Sequence, residues 1–290
     1  MPELLLEFPE FIQVPLAEWI DVIIGWLLTN WGPFFDAVGE GILFILLNIE
    51  RFLLWIPWLV VVVLVGLVTW AVMRIWWAGL IMAAFLVLVG SFGYWELSMM
   101  TLAIIVAAVI ISFVIGIPTG IIMARSKLVE SIVKPALDAM QTMPSFVYLI
   151  PALMFFGLGK VPAVFATIIY AAPPLIRLTN VGIRQVPQSV VEAAEAFGSN
   201  GRQVLFEVQL PLAIPAIMVG LNQTTMMALA MVVIASMIGA RGLGMEVLLA
   251  INRIEVGRGF EAGLSIVLMA IIIDRITHAL AARQEYSVTT

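Results

Sequence analysis

The sequence predicts an all-α polytopic membrane protein with about seven transmembrane helices, and three observations carry that prediction. Of its 290 residues 63% are hydrophobic and only 11% are charged, with a mean hydropathy of +1.13; soluble domains carry about 25% charged residues. Uncharged runs recur along the chain at the length of a membrane span, about 20 residues. Basic residues gather in alternate loops between those runs, as expected of a multi-pass protein.

The first 56 residues are read as interfacial, periplasmic amphipathic helices. Leu16, Trp19, Ile20, Ile23, Ile24, Leu27 and Leu28 fall on one helical stripe, with Glu18 and Asp21 off it. Val38, Ile42, Ile45, Leu46, Ile49, Phe52 and Leu53 repeat the pattern, interrupted by Glu40 and Glu50. Such helices lie along an interface, and an acidic polar face suits the outer side better than anionic inner-leaflet lipid. Glu3, Glu7 and Glu10 stand where a signal peptide would be basic, so no cleavable signal is expected.

Two additional spans, 58–73 and 75–95, make up a segment 57–96. Further spans are predicted at 97–124, 139–159, 161–176, 208–240 and 262–282, within a core of 97–282, followed by a tail 283–290. Placing Arg74, Arg125, Lys127, Lys134, Arg177, Arg184, Arg202, Arg275 and Arg283 together in the cytoplasm leaves Arg51, Lys160, Arg241, Arg253 and Arg258 outside. The N-terminus is then outside and the C-terminus inside. Gly116 and Gly120 form a small-xxx-small helix face. Pro118, Pro144, Pro151 and Pro162 are candidate kinks.

Composition also limits the chemistry. The chain has no cysteine and a single histidine, His278, which leaves no thiolate or paired-histidine metal site. It has no phosphate loop, nucleophile elbow or H-E-x-x-H motif. No catalytic residue, metal, cofactor or nucleic-acid partner is expected in this chain. If ATP drives it, another subunit binds the ATP. A secondary transporter or channel would need a coupling-ion site at the bilayer midplane, and the mid-span stretches lack charged residues. Asp274 and His278 lie four residues apart near the end of the last span, where a structural pair of Asp274 with His278 or Arg275 is expected.

One polar excursion, 177–211, stands out on the cytoplasmic side. Ser189 and Glu192 fit a capping box that would start a helix. Ala193, Ala194 and Ala196 favour helix, and Gly198 can take positive φ and stop it. Ser199 or Asn200 can cap a second helix through Arg202, Leu205, Phe206 and Val208, and Pro211 is expected to open the following span. The pattern is a helix–turn–helix attached to two spans. On its own it is equally an ordinary capped loop.

Glu192-Ala193-Ala194, three residues, Gly198, nine residues and then Val208-Gln209-Leu210-Pro211 resembles the EAA loop of ABC importer permeases, with Val208 where the usual pattern has isoleucine. Leu137–Pro144, Phe146–Leu149, Pro173-Pro174, Ile176–Leu178, Asn222-Gln223, Met231–Ala235 and Gly242–Gly244 resemble permeases of the glycine betaine/proline betaine uptake systems. The likeness covers roughly 57–280. It implies a five-helix, type I importer (MetI-like) core in a bacterial cytoplasmic membrane, working as a homodimer. Its implied partners are two ATP-binding cassette ATPases, which hold ATP and Mg, and an extracytoplasmic solute-binding protein. Glu192, Ala193, Ala194, Phe197, Gly198, Leu210 and Pro211 would contact the ATPase. Thr142, Pro144, Phe146, Tyr148, Asn222 and Met226 are candidates for the translocation path, where aromatic faces suit a quaternary ammonium. As plain packing, the same polar groups are interhelical glue and the methionines Met226, Met227, Met231 and Met237 are core filler. Glycine betaine is the expected solute, with choline, carnitine or histidine as alternatives.

Overall fold

The computed structural model describes the backbone of residues 14–288 and the side chains of residues 14–280. Glu3, Glu7 and Glu10 and the side chain of Arg283 lie outside the described residues. The described chain is helical nearly throughout. In order the helices are α1 (Leu16–Trp55), α2 (Trp58–Met73), α3 (Trp76–Ser91), α4 (Trp95–Arg125), α5 (Lys127–Thr142), α6 (Ser145–Phe156), α7 (Lys160–Arg184), α8 (Gln188–Ala196), α9 (Gly201–Ile238), α10 (Leu243–Arg253) and α11 (Val256–Val288).

Among the described residues four helices, α4, α7, α9 and α11 through Leu280, are long and apolar enough to cross a membrane. The number rises to six if the bent pairs α1–α2 and α5–α6 each count as one span, and α3 is a further, shorter apolar helix. Every expected span therefore maps onto helix, but the fourth is not straight. Residues 139–159 read as one run; the structure starts α5 at Lys127 and breaks it from α6 with a 114° bend. The cause is Pro144. It has no N–H to continue the ladder, and it holds Met143 extended at φ −70, ψ 139. Charges at Lys127, Glu130, Lys134 and Asp138 hide the first half of α5 from a hydropathy reading. Locally it is a capped amphipathic helix, with Val129 N–H donating to Ser126 Oγ at 3.3 Å.

The N-terminal stripes join into one helix of 40 residues that passes through Pro33, about 60 Å long. Phe35 stacks on Phe155 at 4.3 Å, Gly39 faces Phe156, and Glu50 accepts from Lys160 Nζ at 2.6 and 2.7 Å. These contacts are spread along α1, yet they all meet the same end of α6 and α7. A helix that does this lies across the end of the bundle. The following helix, α2, leaves at 99°.

α2 and α3 form a hairpin around Arg74, which sits at φ +57. The helices touch at Gly79, where a Cβ would stand 2.4 Å from the Gly66 carbonyl oxygen. Each has 16 residues, or about 24 Å, short of the roughly 30 Å hydrocarbon core. The hairpin packs through Val62, Met82, Leu86 and Val89 against Leu268, Met269 and Ile272 of α11.

The centre of the molecule is α4, α7 and α9, with α1 and α6 completing one end of the core. Small residues let these helices approach. A Cβ on Gly120 of α4 would meet Thr179 Cβ of α7 at 2.6 Å, and one on Gly182 of α7 would meet Ala216 Cβ of α9 at 2.8 Å. The Gly116/Gly120 face is thus a helix contact, as its spacing predicted.

Candidate functional site

The polar excursion after α7 becomes a short helix, a turn and a long helix. α8 begins at Gln188 behind Pro187, with no side-chain cap. The Ser189–Glu192 capping box expected from the sequence does not form. Pro187, extended at ψ 130, already directs the chain into the helix, and its carbonyl accepts from Val190 N–H at 3.0 Å. The capping box forms at the next helix instead. Asn200 Oδ1 accepts from the Arg202 and Gln203 N–H groups at 3.0 Å each, and Gln203 Oε1 accepts from Asn200 N–H at 2.9 Å.

Between the two helices Gly198 takes φ +89. Ser199 N–H donates to the Ala194 carbonyl at 3.1 Å and Gly198 N–H to the Glu195 carbonyl at 2.9 Å, the paired bonds of a Schellman stop. Nothing lies within 4 Å of a Cβ built on Gly198, so backbone conformation alone selects glycine there. Buried Val191 packs with Val186 and Val204. That fixes α8 to the start of α9 and leaves Glu192, Ala193 and Phe197 exposed, Phe197 at 92%. Ala194 is half-buried under the turn. Phe206, 62% exposed, extends the same apolar outer surface. Sequence reading put Phe206 in the second helix but not on this surface, although an aromatic in a polar excursion was the signal.

Pro211 stands in the first turn of the α-helical stretch Leu210–Ala235, as its position predicted, but that stretch is not the start of the helix. α9 runs unbroken from Gly201, and Val204–Gln209 is wound as π-helix. The i to i−5 bonding shifts the ladder one residue before the proline that has no N–H to give. Leu210 is half-buried and Pro211 exposed within this continuous helix. The turn and the bundle are also tied laterally. Arg125 at the end of α4 donates to the Gly201 carbonyl. Arg184 at the end of α7 reaches the Met123 carbonyl at 2.8 Å and Glu130 at 2.7 Å.

The path candidates fall in several places. Thr142, Pro144 and Phe146 are exposed around the α5–α6 break, and Met226 is exposed on α9. Tyr148 is enclosed, at 4% exposure. Its hydroxyl donates to the Met140 carbonyl and its ring lies 6.0 Å from Tyr170, so it bridges the break from inside the chain. Asn222 Oδ1 accepts from Thr277 Oγ1 of α11 at 2.5 Å, which makes it a link between α9 and α11. Asp138 at the end of α5 pairs with Arg177 of α7 at 2.5 Å. The expected pairing of Asp274 with His278 or Arg275 is absent among the described residues; Arg275 and His278 point outward, and Thr277 between them faces α9.

Comparison with known proteins identifies the family and the fold. The sequence profile described as "Binding-protein-dependent transport system inner membrane component" matches residues 116–286. The glycine betaine/proline betaine transport system permease protein ProW of Escherichia coli is 46% identical over 267 residues, 92% of this chain and 75% of that protein. The glycine betaine transport system permease protein OpuAB of Bacillus subtilis is 44% identical over 273 residues, 94% of this chain and 96% of that one. Among solved structures, the inward-facing MetNI methionine ABC transporter aligns with a TM-score of 0.58 over 63% of this chain and 92% of the other, at 20% identity. That last likeness establishes a shared fold. From the profile, the relatives and the helical core together, the chain belongs to the family of binding-protein-dependent transport system inner membrane components.

Proposed function

We propose that this chain is the permease subunit of an ATP-driven importer for glycine betaine or a closely related quaternary-amine solute. The observation that carries the reading is the helix–turn–helix around Gly198: a closed, self-capped turn that presents Phe197 at 92% exposure and is rooted in two core helices. An aromatic that exposed is costly in water and suits a groove on another protein. Names of the relatives supply the solute, since several are described as glycine betaine permeases.

In this reading two copies of the chain form the pathway in a bacterial cytoplasmic membrane, with the N-terminus outside and the C-terminus in the cytoplasm. Two ATPase subunits bind ATP and Mg, and seat Glu192, Ala193, Ala194, Phe197 and Gly198 in their grooves. An extracytoplasmic solute-binding protein delivers the solute. Closure of the ATPases pushes on α8. Because α9 has no break from Gly201 to Ile238, and α8 is joined to α7 by only a short linker, the push becomes rigid-body movement of α7 and α9. Leu210 and Pro211 ride in that lever. Exposed Phe146 and Met226 border the path with Thr142 and Pro144. α1 lies along the outer membrane interface.

The test is ATP-dependent uptake of labelled glycine betaine into proteoliposomes that hold the whole complex, with carnitine as competitor. Phe197→Ala is expected to abolish solute-stimulated ATP hydrolysis and uptake while leaving thermal stability unchanged, since the side chain has no partner to lose. Full uptake in that variant would remove the turn from the coupling path. Uptake by the permease alone would refute the importer reading itself.

A further inference from the structure

At the end of the bundle opposite the Gly198 turn, α2, α3 and α4 line an open cavity of about 720 Å³, with Trp58 and Glu96 exposed at its mouth. Trp58, the first residue of α2, and Trp95 and Glu96, the first residues of α4, line it together with Ser91, and Leu86 and Leu97 give it an apolar wall. None of the lining residues is basic. Glu96 forms no ion pair among the described residues, whereas Glu50, Glu130, Asp138, Glu246 and Glu255 each have a cationic partner.

Indole faces attract an organic ammonium group, and a nearby carboxylate adds a full opposite charge. An anionic group entering the same cavity would meet Glu96 with no cation to offset it. Tryptophans gather at the boundary between hydrocarbon and water, and Trp58 and Trp95 stand at the first turns of the apolar helices α2 and α4. Its volume is at the scale of sites that take a large ligand, roughly 300–1,000 Å³. The wall of leucines offers an acyl chain a surface beside the polar rim.

The geometry points to a binding site for an organic ammonium group at the junction of α2, α3 and α4: the amine-bearing headgroup of a zwitterionic phospholipid, or a free quaternary amine. Its selectivity is for the cation, held between Trp58, Trp95 and Glu96, and against anionic headgroups. Because α2 and α3 are shorter than the hydrocarbon core, a lipid seated there would fill the end of the hairpin that the protein leaves open. This site is independent of the coupling turn and of the solute assigned above.

Native mass spectrometry of the full-length chain, purified in its complex and mixed with phosphatidylethanolamine or phosphatidylglycerol, tests it. Phosphatidylethanolamine is expected to be retained and phosphatidylglycerol lost. Glu96→Gln and Trp58→Leu are each expected to lower retention about threefold to fivefold. Trp58→Phe should restore most of it, and thermal unfolding of each variant separates loss of the site from loss of the fold. Millimolar choline that displaces the phospholipid, or binds in a Glu96-dependent way by itself, assigns the site to free ammonium compounds; failure to displace assigns it to the headgroup. Equal retention of the two phospholipids, or retention unchanged by both Glu96→Gln and Trp58→Leu, overturns the proposal.

Discussion

The helical ladder is interrupted twice in functionally interesting places, and the two interruptions are held in opposite ways. At Gly198 the chain closes its own broken ends: the Schellman bonds, the Asn200–Gln203 box and one left-handed glycine satisfy the turn locally. At Met143–Pro144 the proline breaks the helix, and a side chain beyond the break and an ion pair to α7 supply the repair. Tyr148 bonds back to Met140 across the gap, and Asp138 is anchored on Arg177 of α7. The first interruption is rigid by itself and exposed, which suits a part that receives force from outside. The second depends on what surrounds it, so its geometry is coupled to the packing of α7 and α9.

The largest expected effect separates these two modes. Tyr148→Ala removes a buried ring and the donor to the Met140 carbonyl at once. Aromatic-to-alanine changes in cores cost about 3–5 kcal/mol, and a buried carbonyl left without its donor adds about 1–3 kcal/mol. Thermal unfolding of the purified protein should show a loss of at least about 3 kcal/mol, with Tyr148→Phe costing only the hydrogen-bond part. A near-native Tyr148→Ala protein would mean that the α5–α6 break keeps its geometry without this side chain and is closed as locally as the Gly198 turn.

Gly198→Val comes next. The left-handed conformation costs a residue with a side chain about 1–2 kcal/mol, and no neighbour obstructs the new atoms. Overall stability should therefore fall modestly, whereas solute-stimulated ATP hydrolysis should collapse because the turn re-aims Phe197. Gly198→Asn is the control, since asparagine tolerates this conformation better than other non-glycine residues. Equal ATPase activities in Gly198→Val and Gly198→Asn would argue that the turn's conformation is immaterial. Asn200→Ala, at about 1 kcal/mol, should fray the start of α9 and reduce coupling less than Gly198→Val.

These interruptions also show what the sequence could reveal. Gly198 and Asn200 were legible because their chemistry is local: a helix stop and a cap are specified by residues a few positions apart. The Ser189 cap was misplaced by two residues because Pro187 does the same work without a side-chain bond. Pro211 was rightly placed at the head of an α-helical stretch, but the helix it belongs to begins earlier. A proline looks like a helix start, but the π-helical stretch Val204–Gln209 absorbs it inside a continuous helix. Pro144 marked a kink in the run 139–159, but its size of more than a right angle was hidden, because the contacts that hold it come from Tyr148, Tyr170 and Arg177, which only the fold brings together. The length of α1 was likewise hidden: its halves look like separate stripes until Glu50 finds Lys160, 110 residues away.

The smallest predicted effect bears on how much of the broken region is pathway. Asn222 bonds Thr277 across α9 and α11, and interhelical hydrogen bonds of this kind contribute about 0.6 kcal/mol. Asn222→Leu should then lower stability by about that amount and leave the apparent affinity for transported solute unchanged. Thr277→Val should have the same small effect, and the double substitution should cost less than the sum, because both remove one bond. If Asn222→Leu instead raises the solute concentration needed for half-maximal uptake several-fold while Thr277→Val does not, Asn222 touches the solute. The pathway would then extend from the α5–α6 break across α9 to the α11 side.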